Sequence, residues 1–145
     1  MDSNIFDKII SDKEVKNKIL ILKRSNKMKI FTTHIQLDEL NATPNETKRK
    51  KLVECAKEIS ECIPTMGVVI GVSKVGMARI SNGEEIQKIR QNQLKMTRDS
   101  LISSTASSDA DFLVTDDEKF AKRVKQELKN ITVLKYDDFV KILNG

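Results

Sequence analysis

Tryptophan is absent from the chain, tyrosine occurs once and phenylalanine five times in 145 residues. Aromatic platforms on which unpaired bases could stack are therefore scarce, and any contact with nucleic acid has to run mainly through phosphates. One histidine and two cysteines are too few ligands for a Cys/His zinc site. Cys55 and Cys62 lie seven residues apart on an expected helix. They read as reduced core or boundary residues rather than as a disulfide or a metal pair. No apolar run approaches the length of a membrane span. Met1-Asp2-Ser3-Asn4 does not have the character of a signal peptide. A cytoplasmic chain without a membrane partner is the expectation. No repeat, low-complexity tract or linker interrupts the sequence, so a single domain over residues 1–145 is expected.

The charged fraction is 32%, the hydrophobic fraction 39% and the formal net charge +5, which is the balance of a folded domain. The positive excess is compatible with a polyanionic partner. Lys48-Arg49-Lys50-Lys51 is one compact basic run, and Lys74, Arg79, Lys88, Arg90, Lys95 and Arg98 form a looser group. Either set can equally be an ordinary solvated surface.

Hydrophobic spacing predicts alternating helices and strands. Ile5, Phe6, Ile9, Ile10, Val15, Ile19 and Leu22 mark a helical region from Ser3 to about Ser25, divided near Ser11-Asp12. A short strand is expected around Ile30-Phe31, a helical turn over Ile35 to Leu40, and a loop at Asn41 to Asn45. A charged helix follows from Glu46 to Cys62, ended by Pro64 and Gly67. Val68-Val69-Ile70 reads as a strand, Gly71 to Gly83 as a glycine-dotted loop, and Glu84 to about Ser108 as a long helix. The last elements are a strand at Phe112 to Val114, a helix from Asp117 to Lys129, a strand at Ile131 to Leu134 and a helix from Tyr136 to Leu143. Strands separated by helices imply an α/β domain on a parallel sheet.

The most informative stretch is Ala110-Asp111-Phe112-Leu113-Val114-Thr115-Asp116-Asp117. A buried strand here ends on a hydroxyl and two adjacent carboxylates, at the sheet edge where open α/β folds bind ligands. Adjacent carboxylates repel, which favours a cation between them. The alternative is a helix start, with Thr115 or Asp116 as N-cap. Three further acids are candidates. Glu39 shares a helical face with Ile35, whereas Asp38 fits the exposed side. Asp99 shares a face with Ile102 and Ala106, or else pairs with Lys95. Asp2 is otherwise simply a helix N-cap.

Taken together, Asp2-Ser3-Asn4-Ile5-Phe6, Thr33-His34-Ile35-Gln36-Leu37-Asp38-Glu39-Leu40, the helix Arg98-Asp99-Ser100-Leu101-Ile102-Ser103-Ser104-Thr105-Ala106, and Ala110 to Asp117 closely resemble the PIN-domain nucleases. The order and spacing match over nearly the whole chain, most specifically from Asp99 to Phe120. The resemblance implies a compact α/β/α sandwich on a parallel sheet. It implies four acids at one site, matching Asp2, Glu39, Asp99 and Asp117, with Asp116 as the rival for the fourth and Asn4 and Thr115 in support. The chain start departs from the family. Its members carry a first strand that ends at the first acid, whereas only Met1 precedes Asp2 here, so this strand is missing, truncated or supplied otherwise.

What the resemblance implies chemically is a ribonuclease dependent on magnesium or manganese, since hard oxygen ligands select such ions. A pair of them activates water and stabilises the leaving oxygen of a phosphodiester. RNA is the implied substrate. Lys48, Arg49, Lys50, Lys51, Lys74, Arg79 and Arg98 are candidates to hold its backbone. A toxin with an antitoxin or other protein partner, or a homodimer, fits the same family. Two other functions share these residues, a non-catalytic nucleic-acid-binding or scaffold domain and a nuclease of structured DNA. Replacement of Lys48, Arg49, Lys50 and Lys51 by Gln tests the basic run. RNA affinity is expected to fall, and the slope of log K against log salt to flatten by about one for each phosphate that the variant no longer neutralises. Equal slopes for the two proteins would assign the run to solubility.

Overall fold

The computed structural model describes residues 1–69, 71–79 and 94–145, with side chains from 97 onward in the last segment. The chain begins with two amphipathic helices, α1 (Ser3–Ser11) and α2 (Lys13–Arg24). Asp12 divides them. Its backbone N–H closes α1 on Lys8 and Ile9, and its carboxylate accepts from the Val15 N–H to open α2. Strand β1 (Phe31–Thr32) leads directly into α3 (His34–Asn41), whose start is fixed by a capping box between Thr33 and Gln36. After a turn, the Asn45 side chain caps α4 (Glu46–Ile59).

Helix α4 is shorter than the sequence suggests. It stops at Ile59, and Glu61–Cys62 form strand β2, parallel to β1. The buried hydroxyl of Ser60 turns back onto the Ala56 carbonyl and also meets the Thr32 hydroxyl, which ends the helix and registers the strand. Cys55 is therefore a core residue of α4, whereas Cys62 lies exposed on β2, and both thiols are free. The next strand also sits earlier than expected. It is β3 (Thr65–Met66), parallel to β4 (Ala78–Arg79), while Val68 and Val69 are not in a strand. Ile70 and residues 80–93, with Gly83 and the predicted start of the long helix at Glu84, lie outside the described residues.

Helix α5 (Leu94–Asp109) packs against β3. Its buried face is hydroxylic: Ser103, Ser104 and Thr105 bond carbonyls one turn back, and Thr105 Oγ1 also accepts from the Met66 N–H at 2.8 Å. The chain closes with β5 (Phe112–Val114), α6 (Glu118–Glu127), β6 (Thr132–Leu134) and α7 (Tyr136–Asn144). Strands β5 and β6 are parallel in register, Phe112 opposite Thr132 and Val114 opposite Leu134. The described residues thus form a mixed α/β fold of seven helices and three short parallel strand pairs.

Alternation along β5 feeds two separate cores. Val114 joins Ile5, Phe6, Ile9, Ile30, Ile59 and Phe139 in one cluster. Leu113 joins Ile35, Leu101, Phe120, Val124 and Val133 in the other.

The two strand pairs β1–β2 and β5–β6 are linked through the chain start. The Met1 amino group donates to the Phe31 carbonyl at 2.9 Å, and the Asp2 N–H donates to the Val114 carbonyl at 3.0 Å. Gln36 holds the Met1 carbonyl from above. Burial pushes the Met1 amino group down to about 6, against the opposing pull of Asp2.

Phe6 is fully buried where α1 meets this junction. Phe6→Ala is expected to cost about 3–5 kcal/mol, read as a lower urea midpoint at unchanged slope.

Candidate functional site

Asp2 is the N-cap of α1 and is buried, with 7% of its surface exposed. Its Oδ1 accepts from the Ser3 N–H at 2.8 Å. Its Oδ2 accepts from Asn4 Nδ2 at 3.0 Å and from the Thr115 hydroxyl at 2.6 Å. Three donors on one carboxylate fix its orientation and offset the cost of burying charge. Thr115 is the first residue beyond β5, so the strand delivers its hydroxyl directly to Asp2. The same hydroxyl oxygen accepts from the Asp117 N–H at 3.1 Å.

Glu39 approaches from α3. The Ser3 hydroxyl donates to its Oε2 at 2.6 Å, and the side chain is half-buried. Burial raises its pKa; the Ser3 bond and the charge of Arg98 pull it down, and the charges of Asp2 and Asp99 add to the rise. Glu39 of α3 thus feels two other carboxylates, Asp2 at the cap of α1 and Asp99 on α5. Asp99 is itself largely buried on α5 and pairs with Arg123 of α6. The side chain of Lys95, its alternative partner, lies outside the described residues.

The two acids after β5 separate, and the cap assignment differs from the expectation. Asp117, not Thr115 or Asp116, is the N-cap of α6, its Oδ1 accepting from the Phe120 N–H at 2.9 Å. Asp116 turns to the other side. It pairs with Lys8 at 2.7 Å and accepts from the Tyr136 N–H at 3.0 Å, at the start of α7. Burial alone would raise the Asp116 pKa, but Lys8 and the Tyr136 N–H together hold it below the usual carboxylate range. Lys8 also sits 5.1 Å over the Tyr136 ring. The helix start at Asp117 breaks the alternation of side chains that a continuing strand would keep.

Several candidate cations have partners inside the protein. Lys48 pairs with Asp7 and Lys50 with Glu46, while Arg49 donates to the Thr43 carbonyl. Lys51 is exposed. Lys74 pairs with Asp38, and Arg79 clamps Asp109 at the end of α5. Arg98 is exposed and is the cation that acts on Glu39. Lys88 and Arg90 lie outside the described residues. Ser3, Lys8 and Arg123 were not among the residues that the sequence singles out. Ser3 lies between two matched motif positions and was accessible from that placement, whereas Lys8 and Arg123 reach their partners only through tertiary packing.

Among the described residues, no group of three His, Cys, Asp or Glu side chains is arranged to hold a metal ion. The side chains of Asp2, Glu39 and Asp99 are carboxylates, the donor type that hard divalent cations take. No family model, curated protein or solved structure matches the chain.

A raised carboxyl pKa in the folded state has a definite sign for stability. The folded protein holds the proton more tightly than the unfolded chain, so stability falls as pH rises from the ordinary Glu39 value of 4.5 through the folded value. Glu39→Gln keeps an acceptor for Ser3 and removes the charge. It is expected to raise Tm at pH 7 in the absence of divalent metal and to flatten the loss of stability above pH 4.5. A variant with lower Tm and an unchanged pH profile would show that the Glu39 charge is not under strain.

Proposed function

We propose that the chain is a PIN-like α/β/α domain acting as a divalent-metal-dependent endoribonuclease, with Asp2, Glu39, Asp99 and Asp117 at its centre. The observation that carries this reading is that Ser3 joins Asp2 and Glu39, its N–H donating to the first and its hydroxyl to the second, with Asp99 close enough for its charge to act on Glu39. Parallel strands ending beside these acids, and two cores fed by opposite faces of β5, support the sandwich.

Asp2, Glu39 and Asp99 are the residues that would hold magnesium or manganese, with Asp117 beside them. A bound ion would supply charge stabilisation at a phosphate and a more acidic water. The protein's own contribution begins with Asp2, whose orientation is locked by Ser3, Asn4 and Thr115. Preorganisation of this kind removes the cost of arranging charge at the moment of reaction. Glu39, aimed by the Ser3 hydroxyl, adds a second oriented carboxylate to the set. Asp99 is steadied by Arg123. Arg98, exposed and acting on Glu39, is placed to meet a phosphate.

The Asp99–Arg123 pair also favours a second reading, a non-catalytic nucleic-acid-binding or scaffold domain in which arginine takes the place of the cation. Cleavage of RNA and structured DNA oligonucleotides with and without manganese separates the two. Metal-dependent RNA cutting is the expected result, and its absence with retained RNA binding would favour the scaffold.

Asp117→Asn is a clean probe, because Asn caps a helix as well as Asp does. It is expected to abolish metal-dependent cleavage with little change in Tm. Asp116→Asn weakens the Lys8 contact and is expected to lower stability by about 1 kcal/mol or less while cleavage is kept. The reverse pattern of activities would move the fourth ligand to Asp116.

A further inference from the structure

Several cations that the sequence offers to a polyanion are already paired: Lys48 with Asp7, Lys50 with Glu46, Lys74 with Asp38 and Arg79 with Asp109. A different set stands on α6. Lys119, Lys122 and Lys125 recur every three residues and are exposed, and among the described residues none of them is in an ion pair. That spacing places them along one face of the helix, turned away from Phe120 and Val124, which are buried in the core. Glu118 falls on the same face, but Lys135 neutralises it at 2.8 Å. Arg123, one turn on from Lys119, reaches Asp99, and Glu127 falls on the flank beyond it. Asp117 caps the start of the same helix. The lysine face thus adjoins two of the acids described above. It is costly to the helix. Like charges three residues apart repel, and Lys119 lies in the first turn, where the macrodipole opposes a cation. An anion laid along the face relieves both.

We infer that this face of α6 binds the phosphate backbone of an RNA chain, whatever its sequence, and leads it toward the acids. The choice of RNA rests on the nuclease reading proposed above, whereas the charge on the face does not. Lysine ammonium groups meet phosphates as point charges and read no base. The scarcity of aromatic residues leaves little for bases to stack on. From Lys119 to Lys125 the helix rises about 9 Å, the length of two or three nucleotides of a stacked strand at about 3.4 Å each. An acidic protein would need apolar or aromatic anchors at the middle of its interface, and the face formed by Lys119, Lys122, Lys125 and Gln126 has none. A helix that lies on a membrane needs a free apolar side, whereas the apolar side of α6 is closed into the core.

The test replaces Lys119, Lys122 and Lys125 together by Gln. Replacement of Lys13, Lys27 and Lys57 by Gln removes the same charge from exposed positions elsewhere and serves as the control. Binding is measured in EDTA, so that no metal-dependent cleavage intervenes, on two single-stranded RNAs of unrelated sequence and on DNA of the same sequences. The α6 variant is expected to lose affinity for both RNAs by about tenfold or more at low salt, and its slope of log K against log salt to flatten by about 2, at ~0.7 for each phosphate released. The control set keeps the slope of the unsubstituted chain, and Arg in place of the three α6 lysines keeps the affinity. Tm of the Gln variant is expected to stay level or rise, because repulsion along α6 is relieved, which separates lost binding from lost folding. An equal loss in the control set would overturn the inference by reducing it to net charge. So would DNA, polyglutamate or phosphatidylserine vesicles held through these lysines while RNA is not. RNA binding that depends on the α6 lysines, in a protein that cuts no RNA with manganese, would uphold this surface and remove the nuclease reading alone.

Discussion

The buried carboxylate of Asp2 and its backbone tie α1, β5 and the segment after β5 into a single knot, through the N–H bonded to Val114 and through the donors Ser3, Asn4 and Thr115. The strand pairs are only two or three residues long. Such short ladders have little independent stability, so their relative position must come from elsewhere. It comes from the helices that close the two cores and from this knot between them. Charge on Asp2 is tolerated because each oxygen is supplied with a donor. The neighbouring acid, Glu39, has one donor from Ser3 and bears the repulsion of both Asp2 and Asp99.

The surrounding polar groups form a graded series. Asp2 is fully supplied with donors. Asp99 is neutralised by Arg123 and Asp116 by Lys8, and Asp117 is engaged at a helix start. Glu39 has its pKa raised by burial and by its neighbours. Glu39 is thus the acid of this group that burial and its neighbours push toward the protonated form, while Asp99 and Asp116 each meet a cation.

Much of the fold was legible because periodicity and caps agreed. Asp12 separates α1 from α2 where the apolar spacing falters, and the apolar run Phe112 to Val114 is a strand. Errors arose where local signals were ambiguous. The charged run to Cys62 reads as helix throughout, yet Ser60 bonding back to Ala56 ends α4 and releases β2. The acids after β5 could be placed on a strand end but not oriented. Which of them caps α6 depends on where the helix begins, and Asp116 finds Lys8 and Tyr136 only in three dimensions. For the same reason Arg123, six residues beyond Asp117 on α6, gave no local sign of meeting Asp99. The motifs ordered these acids along the chain, while the partner that each one meets was a property of packing.

The knot at Asp2 also orders events in time. Its partners Val114 and Thr115 lie more than a hundred residues further along the chain, so closing this loop carries the entropy of all the residues between. On a ribosome, α1 and α2 can form early, but the first carboxylate has no seat until β5 has emerged. The Asp2 carboxylate is therefore seated only once Thr115 has been made, and no joint action of Asp2 with its neighbouring acids can precede that step.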